Sequence, residues 1–149
     1  MKKLFVVASQ YTAERYTSEI KKYCVISITD GKDNNVEFVE DVNRLDVLNL
    51  KFSDLDKPIG DYKLFSENDA KEIIEFVEKY FDKVDFFLVH CHAGISRSAG
   101  CAAALSKIYN NTDKFYFESG KYVPNMLVYK TILNYVDETN QEKTNDESC

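Results

Sequence analysis

Apolar positions recur along this chain with two distinct periods. Leu4-Phe5-Val6-Val7-Ala8 and Val25-Ile26-Ser27-Ile28 are short runs rich in β-branched residues, each closed by polar neighbours, and predict buried strands. Val47-Leu48-Asn49-Leu50-Lys51-Phe52 alternates as a third strand and ends in the acidic loop Ser53-Asp54-Leu55-Asp56-Lys57-Pro58. Phe86-Phe87-Leu88-Val89 is apolar on both faces, the pattern of a strand in a covered parallel sheet. A helical period carries Ala70, Ile73, Ile74, Val77, Tyr80 and Phe81, and the preceding Ser66 with Asp69 resembles a capping box. Ser98 to Tyr109 predicts a second helix with almost no polar face, opened by small residues that allow close packing, and Met126 to Val136 predicts a last amphipathic one. Asp30 to Asn35 reads as a turn. Strands alternating with helices predict an α/β fold: a mainly parallel central sheet of four to five strands flanked by helices. Residues 1–139 form the predicted domain, and 140–149 a flexible polar tail.

Composition narrows the function classes. At 149 residues the chain suits one domain with one core, and 44% hydrophobic against 30% charged residues is ordinary for a soluble protein. The net charge of −6 argues against a surface that coats DNA or RNA. Five acids (Asp137, Glu138, Glu142, Asp146, Glu147) against Lys143 place −4 of that charge in residues 137–149, so the body carries −2. No stretch reaches the roughly 20 apolar residues of a membrane span. The run after Met1-Lys2-Lys3 is shorter than the ~7–15 residues of a secretory apolar region, which predicts a cytoplasmic protein. Cys24, Cys91, Cys101 and Cys149 show no CxxC or Cys/His ligand pair, so reduced thiols are expected and no metal site. Nothing in the sequence speaks to oligomeric state.

Rare residues carry more information. The chain has two histidines, His90 and His92, and three arginines, Arg15, Arg44 and Arg97. Both histidines, Arg97 and Cys91 fall in one segment, His90-Cys91-His92-Ala93-Gly94-Ile95-Ser96-Arg97-Ser98, between a predicted strand and a predicted helix. A tight loop there turns backbone N–H groups inward, and the helix N-terminus adds partial positive charge. Gly94 permits a positive φ. Arg97 offers a planar fork suited to two phosphate oxygens. The same field depresses the pKa of Cys91, and a thiolate facing a bound phosphate is a nucleophile aimed at phosphorus.

This segment resembles the signature of the cysteine-dependent protein tyrosine phosphatases: His-Cys, five residues, Arg, then Ser or Thr. The chain length is similar to the compact dual-specificity type. Cys24 to Thr29 resembles an early strand of that group, Leu48 to Asp54 the strand into its general-acid loop, and Pro124-Asn125-Met126 the start of its last helix. The likeness implies that Cys91 is the nucleophile and that Arg97 binds the phosphoryl oxygens together with the N–H groups of His92, Ala93, Gly94, Ile95 and Ser96. It implies that Ser98 assists the thiolate, that His90 supports the loop, and that Asp54 is the general acid, with Asp56 as the alternative. It further implies hydrolysis of phosphotyrosine in proteins, with phosphoserine and phosphothreonine as further substrates and no cofactor. The chain departs from the pattern in having no Trp-Pro-Asp loop, in carrying Thr131 where relatives often have Gln, and in lacking Lys or Arg at 92–96.

Plainer readings stand beside these. Ser96 reads as a structural loop residue, Cys24 and Cys101 as core, Cys149 as exposed, and Phe115-Tyr116-Phe117 as packing. His92 is open between phosphate contact and bystander. Rival functions are a phosphoresidue-binding module without turnover, an RNA 5′-phosphatase, and a rhodanese-like sulfur transferase; the acidic composition opposes the second and the spacing to Arg97-Ser98 the third.

Overall fold

The computed structural model describes residues 2–147. Nine elements follow in order: β1 (Leu4–Ser9), α1 (Gln10–Arg15), β2 (Tyr23–Thr29), β3 (Arg44–Lys51), α2 (Glu67–Tyr80), β4 (Phe86–Cys91), α3 (Arg97–Asn110), α4 (Lys114–Glu118) and α5 (Met126–Glu147). The four strands form one sheet in the order β1-β4-β2-β3, and every pairing is parallel. The expected α/β architecture therefore holds, with four strands.

Alternation along the strands sorts two cores. Cys24, Ile26 and Ile28 of β2 and Phe87, Val89 and Cys91 of β4 turn to one face, where they pack with Phe76, Val77, Leu105, Val128 and Ile132 from the helices. Tyr23, Val25, Phe86 and Leu88 turn to the other and pack with Ala13, Tyr16, Phe38 and Val47. Both inner strands are buried throughout, as a parallel sheet covered on both sides requires.

Helix starts follow local chemistry. The Ser66 side chain accepts from the Asp69 N–H while Asp69 accepts from the Ser66 N–H, which is the anticipated capping box of α2. The two short helices, α1 and α4, were not legible in the hydrophobic pattern: one turn to a turn and a half gives no period to read. α1 is capped by Ser9, whose side chain accepts from the Thr12 N–H.

One expectation is corrected. Residues 140–147 are not a frayed tail but the last turns of α5, which runs 22 residues to Glu147. Thr139, Asn140 and Lys143 line a groove with Glu75, Glu78 and Lys79 of α2, so a polar sequence continues as helix because α2 lies alongside it. Cys149 lies outside the described residues. Among the described residues no helix is long and apolar enough to cross a membrane.

α3 is almost wholly buried, and its small residues bring backbone against backbone. A Cβ at Gly100 would lie 2.5 Å from the Asn125 carbonyl oxygen and 3.1 Å from its nitrogen. Gly100→Ala is therefore expected to destabilise the protein by about 1–3 kcal/mol, the usual cost of forced overpacking, in urea unfolding. An unchanged midpoint would show that the α3–α5 junction yields freely.

Candidate active site

β4 runs through the middle of the sheet, with β1 on one side and β2 on the other. Its carboxyl end is the point where connections diverge to opposite directions, the place where open parallel sheets bind ligands. Cys91 is its last residue, and the loop 92–96 leads from it into α3 at Arg97.

Gly94 makes that loop possible in two ways. Its φ is +72°, in the left-handed region that favours glycine. A Cβ there would also lie 2.6 Å from the Ala8 carbonyl carbon and 2.7 Å from the Ser9 nitrogen, inside the end of β1. The Gln10 N–H donates to the His92 carbonyl at 3.1 Å, fastening the loop to the start of α1.

Cys91 is 3% exposed, with its Sγ 3.1 Å from the Ser98 Oγ. Burial pushes its thiol pKa up, yet the net shift is downward. The Ser98 hydroxyl, the backbone N–H groups of Ser98 and Gly94, and the charge of Arg97 together favour the thiolate. The other two described cysteines behave oppositely. Burial pushes Cys24 up to about 12 and also raises Cys101, so both are inert core thiols, as anticipated.

His90, fully buried, faces the sheet side opposite Cys91. Its Nε2 lies 2.7 Å from the Ser27 Oγ and its Nδ1 3.2 Å from the Cys91 carbonyl, while Phe38 meets the ring edge-on. A carbonyl only accepts, so Nδ1 carries the proton and Nε2 accepts from Ser27. Burial lowers the pKa of His90, which favours its neutral form as a strut beneath Cys91. Ser27 was missed as its partner; a serine between Ile26 and Ile28 in an otherwise apolar run was the available signal.

Arg97 is 6% exposed. Its Nη1 donates to Asp30 Oδ1 at 2.7 Å and to the Phe52 carbonyl at 2.9 Å, while its Nε is buried without a partner among the described residues. Asp30 was read as part of a turn, and nothing local in the sequence linked it to a residue 67 positions away.

Asp54 reaches the loop from the other side. Its Oδ1 accepts from the Ser96 Oγ at 2.8 Å and from the Asn125 Nδ2 at 2.9 Å. Asn125 also donates to the Leu55 carbonyl at 3.2 Å, and its own N–H donates to the Ser96 carbonyl at 2.9 Å. The acid loop, the cysteine loop and the start of α5 are thus sewn together at Asn125, which the sequence marked only as a helix start. Asp56 is exposed two residues on, with no hydrogen bond to the cysteine loop among the described residues. His92, Ala93 and Ile95 are exposed on the rim, and Ser96, half-buried, has the structural role of holding Asp54. The aromatic trio divides: Tyr116 is buried and donates to the Phe5 carbonyl, whereas Phe115 and Phe117 are exposed.

No protein-family model matches this chain, and neither does any curated protein. Solved structures do. Human DUSP28 superposes with a TM-score of 0.61 at 12% identity, over 93% of this chain and 94% of that one. The human tyrosine phosphatase-like serine/threonine/tyrosine-interacting protein gives 0.58 at 18% identity, over 80% and 79%. PTPMT1, solved in complex with PI(5)P, gives 0.57 at 17%, over 82% and 81%. At such low identity the likeness is one of fold, and it extends over about four fifths or more of each chain. The chain has the fold of the compact dual-specificity phosphatases, with Cys91 at the exit of its central strand.

Proposed function

We propose that this protein is a protein phosphatase that hydrolyses phosphotyrosine, and phosphoserine and phosphothreonine where its cleft admits them, through a phosphocysteine intermediate. The observation that carries the reading is a buried thiol whose pKa is lowered, beside an arginine whose Nε is left without a partner. A held thiolate and an unfilled cationic donor are what a phosphate monoester needs.

The chemistry follows from these groups. The Cys91 thiolate attacks phosphorus and the P–O bond to the leaving group breaks. Nη1 of Arg97 is already occupied, so the fork of Nε and Nη2 is the edge that serves two phosphoryl oxygens, and it does so more strongly as charge builds in the transition state. A departing phenolate or alkoxide needs a proton, since an oxygen of pKa about 10 or above leaves poorly without one. Asp54 supplies it. Oδ1 is taken by Ser96 and Asn125, so the transferable proton belongs on Oδ2. Water then attacks the phosphocysteine, Asp54 accepts its proton, and inorganic phosphate leaves as the Ser98 hydroxyl stabilises the returning thiolate.

The test is turnover. Aryl phosphate should be hydrolysed in EDTA, and Cys91→Ser should abolish turnover while retaining phosphate binding; activity surviving that substitution would sink the covalent mechanism. Phosphate binding without any turnover in the unaltered protein would instead favour the binding module. Matched phosphotyrosine, phosphoserine and phosphothreonine peptides then read the specificity.

Asp54→Asn is expected to lower kcat by roughly 100- to 10,000-fold on substrates with poor leaving groups, and much less on activated aryl esters. If Asp56→Asn gives that pattern and Asp54→Asn does not, the acid has been misplaced.

The lowered thiol pKa fixes the sign of the pH dependence. A depressed pKa raises the thiolate fraction at any given pH and moves its loss to lower pH than for a free thiol. Iodoacetamide labelling of Cys91, followed by peptide mass mapping, should rise with pH through a midpoint below about 8.5, the free-thiol value. Cys24 and Cys101 should stay unlabelled in the folded protein. A midpoint for Cys91 at or above the free-thiol value would contradict the assigned stabilisation.

A further inference from the structure

The Asp30 carboxylate lies at the end of β2, next to the loop that carries Cys91 but outside the signature segment. A guanidinium has five N–H donors in a rigid plane, and where it points depends on which of them are already used. In Arg97 both N–H bonds of Nη1 are spent, one on Asp30 Oδ1 at 2.7 Å and one on the Phe52 carbonyl at 2.9 Å. Those acceptors come from consecutive stretches of the sheet edge: Asp30 directly follows β2 and Phe52 directly follows β3. The two ends are held level by the Phe52 N–H donating to the Thr29 carbonyl at 3.0 Å. A backbone carbonyl cannot be lost by substitution, but it is neutral; Asp30 is the charged half of the clamp.

We propose that Asp30 is the positioning residue for Arg97, fixing the guanidinium so that its Nε edge stays turned to the phosphoryl group. This inference rests on the reading of Arg97 as the phosphoryl-binding group. The geometry supports an action through Arg97 rather than a purely structural one. The Asp30 side chain is 56% exposed, so truncating it opens no core cavity. The turn after β2 is kept by main-chain atoms, the Asp33 N–H donating to the Asp30 carbonyl at 3.0 Å. Arg97, in contrast, is buried with Nε unpartnered, and removing Asp30 leaves an Nη1 donor unsatisfied beside it, so the plane is free to rotate toward other acceptors. Because the carboxylate sits on the Nη1 edge, it also offsets part of the guanidinium charge on the side away from the substrate. An anion is then attracted to one edge only.

The experiment compares Asp30→Ala, Asp30→Asn and Arg97→Ala, alone and with Asp30→Ala and Arg97→Ala combined. The readouts are aryl phosphate turnover and, on the Cys91→Ser background, calorimetric titration with inorganic phosphate. Asp30→Ala is expected to lower kcat/KM roughly 10- to 100-fold, the range of a charge-assisted hydrogen bond, with most of the loss in kcat because the fork matters most in the transition state. Asp30→Asn retains an acceptor for Nη1 and should recover most of that loss. On the Arg97→Ala background, Asp30→Ala should do nothing further, as expected for a residue that acts through another. A change of less than about 2-fold in Asp30→Ala, or an equal loss with and without Arg97, would overturn the proposal. Should the unaltered protein show no turnover, the proposed function fails, while the phosphate titration still decides Asp30: weaker binding in Asp30→Ala supports its role and unchanged binding ends it.

Discussion

A buried thiol whose surroundings favour its charged form, at the end of a central strand, is the constraint on which the rest of this protein turns. Burial alone disfavours that charge, and a cysteine in ordinary core surroundings stays protonated, as Cys24 and Cys101 do. Cys91 differs only in what surrounds it: two backbone N–H groups, one hydroxyl and one guanidinium. Each of these depends on the loop closing tightly enough to aim donors at sulfur. Loop closure depends in turn on Gly94, because no side chain fits between the loop and the end of β1. One missing Cβ therefore permits the curvature from which the shifted pKa follows.

The supports of the loop come from several elements. His90 and Ser27 brace it from beneath through the sheet, Gln10 from the start of α1, Asn125 from just before α5, and Asp54 from the acidic loop after β3. These contacts share a feature: most are single hydrogen bonds from the end of one element to the end of another. Such a site is preorganised by the scaffold rather than by its own sequence, and preorganised donors cost no rearrangement when charge develops.

That division also decides what was legible in the sequence. Cys91, Gly94, Arg97 and Ser98 lie within nine consecutive residues, so their spacing and the family resemblance it carries singled them out together. The sheet was legible from its apolar runs, its covered character because β4 is apolar on both faces, and the capping box because its partners lie three positions apart. Asp30, Ser27 and Asn125 join the site through sheet register and helix packing, at separations of 67, 63 and 71 residues from their partners. No local pattern encodes those distances. The last turns of α5 were misread for a related reason. Their composition is polar, and the α2 surface that lies alongside them is invisible to a one-dimensional reading.

The proposed anion site in a chain of net charge −6 looks contradictory until the ranges of the forces are compared. Exposed charges are screened over about 8–10 Å in physiological salt, so the net charge of the whole chain says little about the field inside one loop. Within the site the relevant groups lie at hydrogen-bond distance and are largely out of water, where the same charges act far more strongly. Even there the balance is not simply positive: Asp30 binds the Arg97 guanidinium and Asp54 accepts from Ser96 of the loop. The absence of Lys and Arg from positions 92–96 points the same way, since a loop of that kind has no second cation to offer.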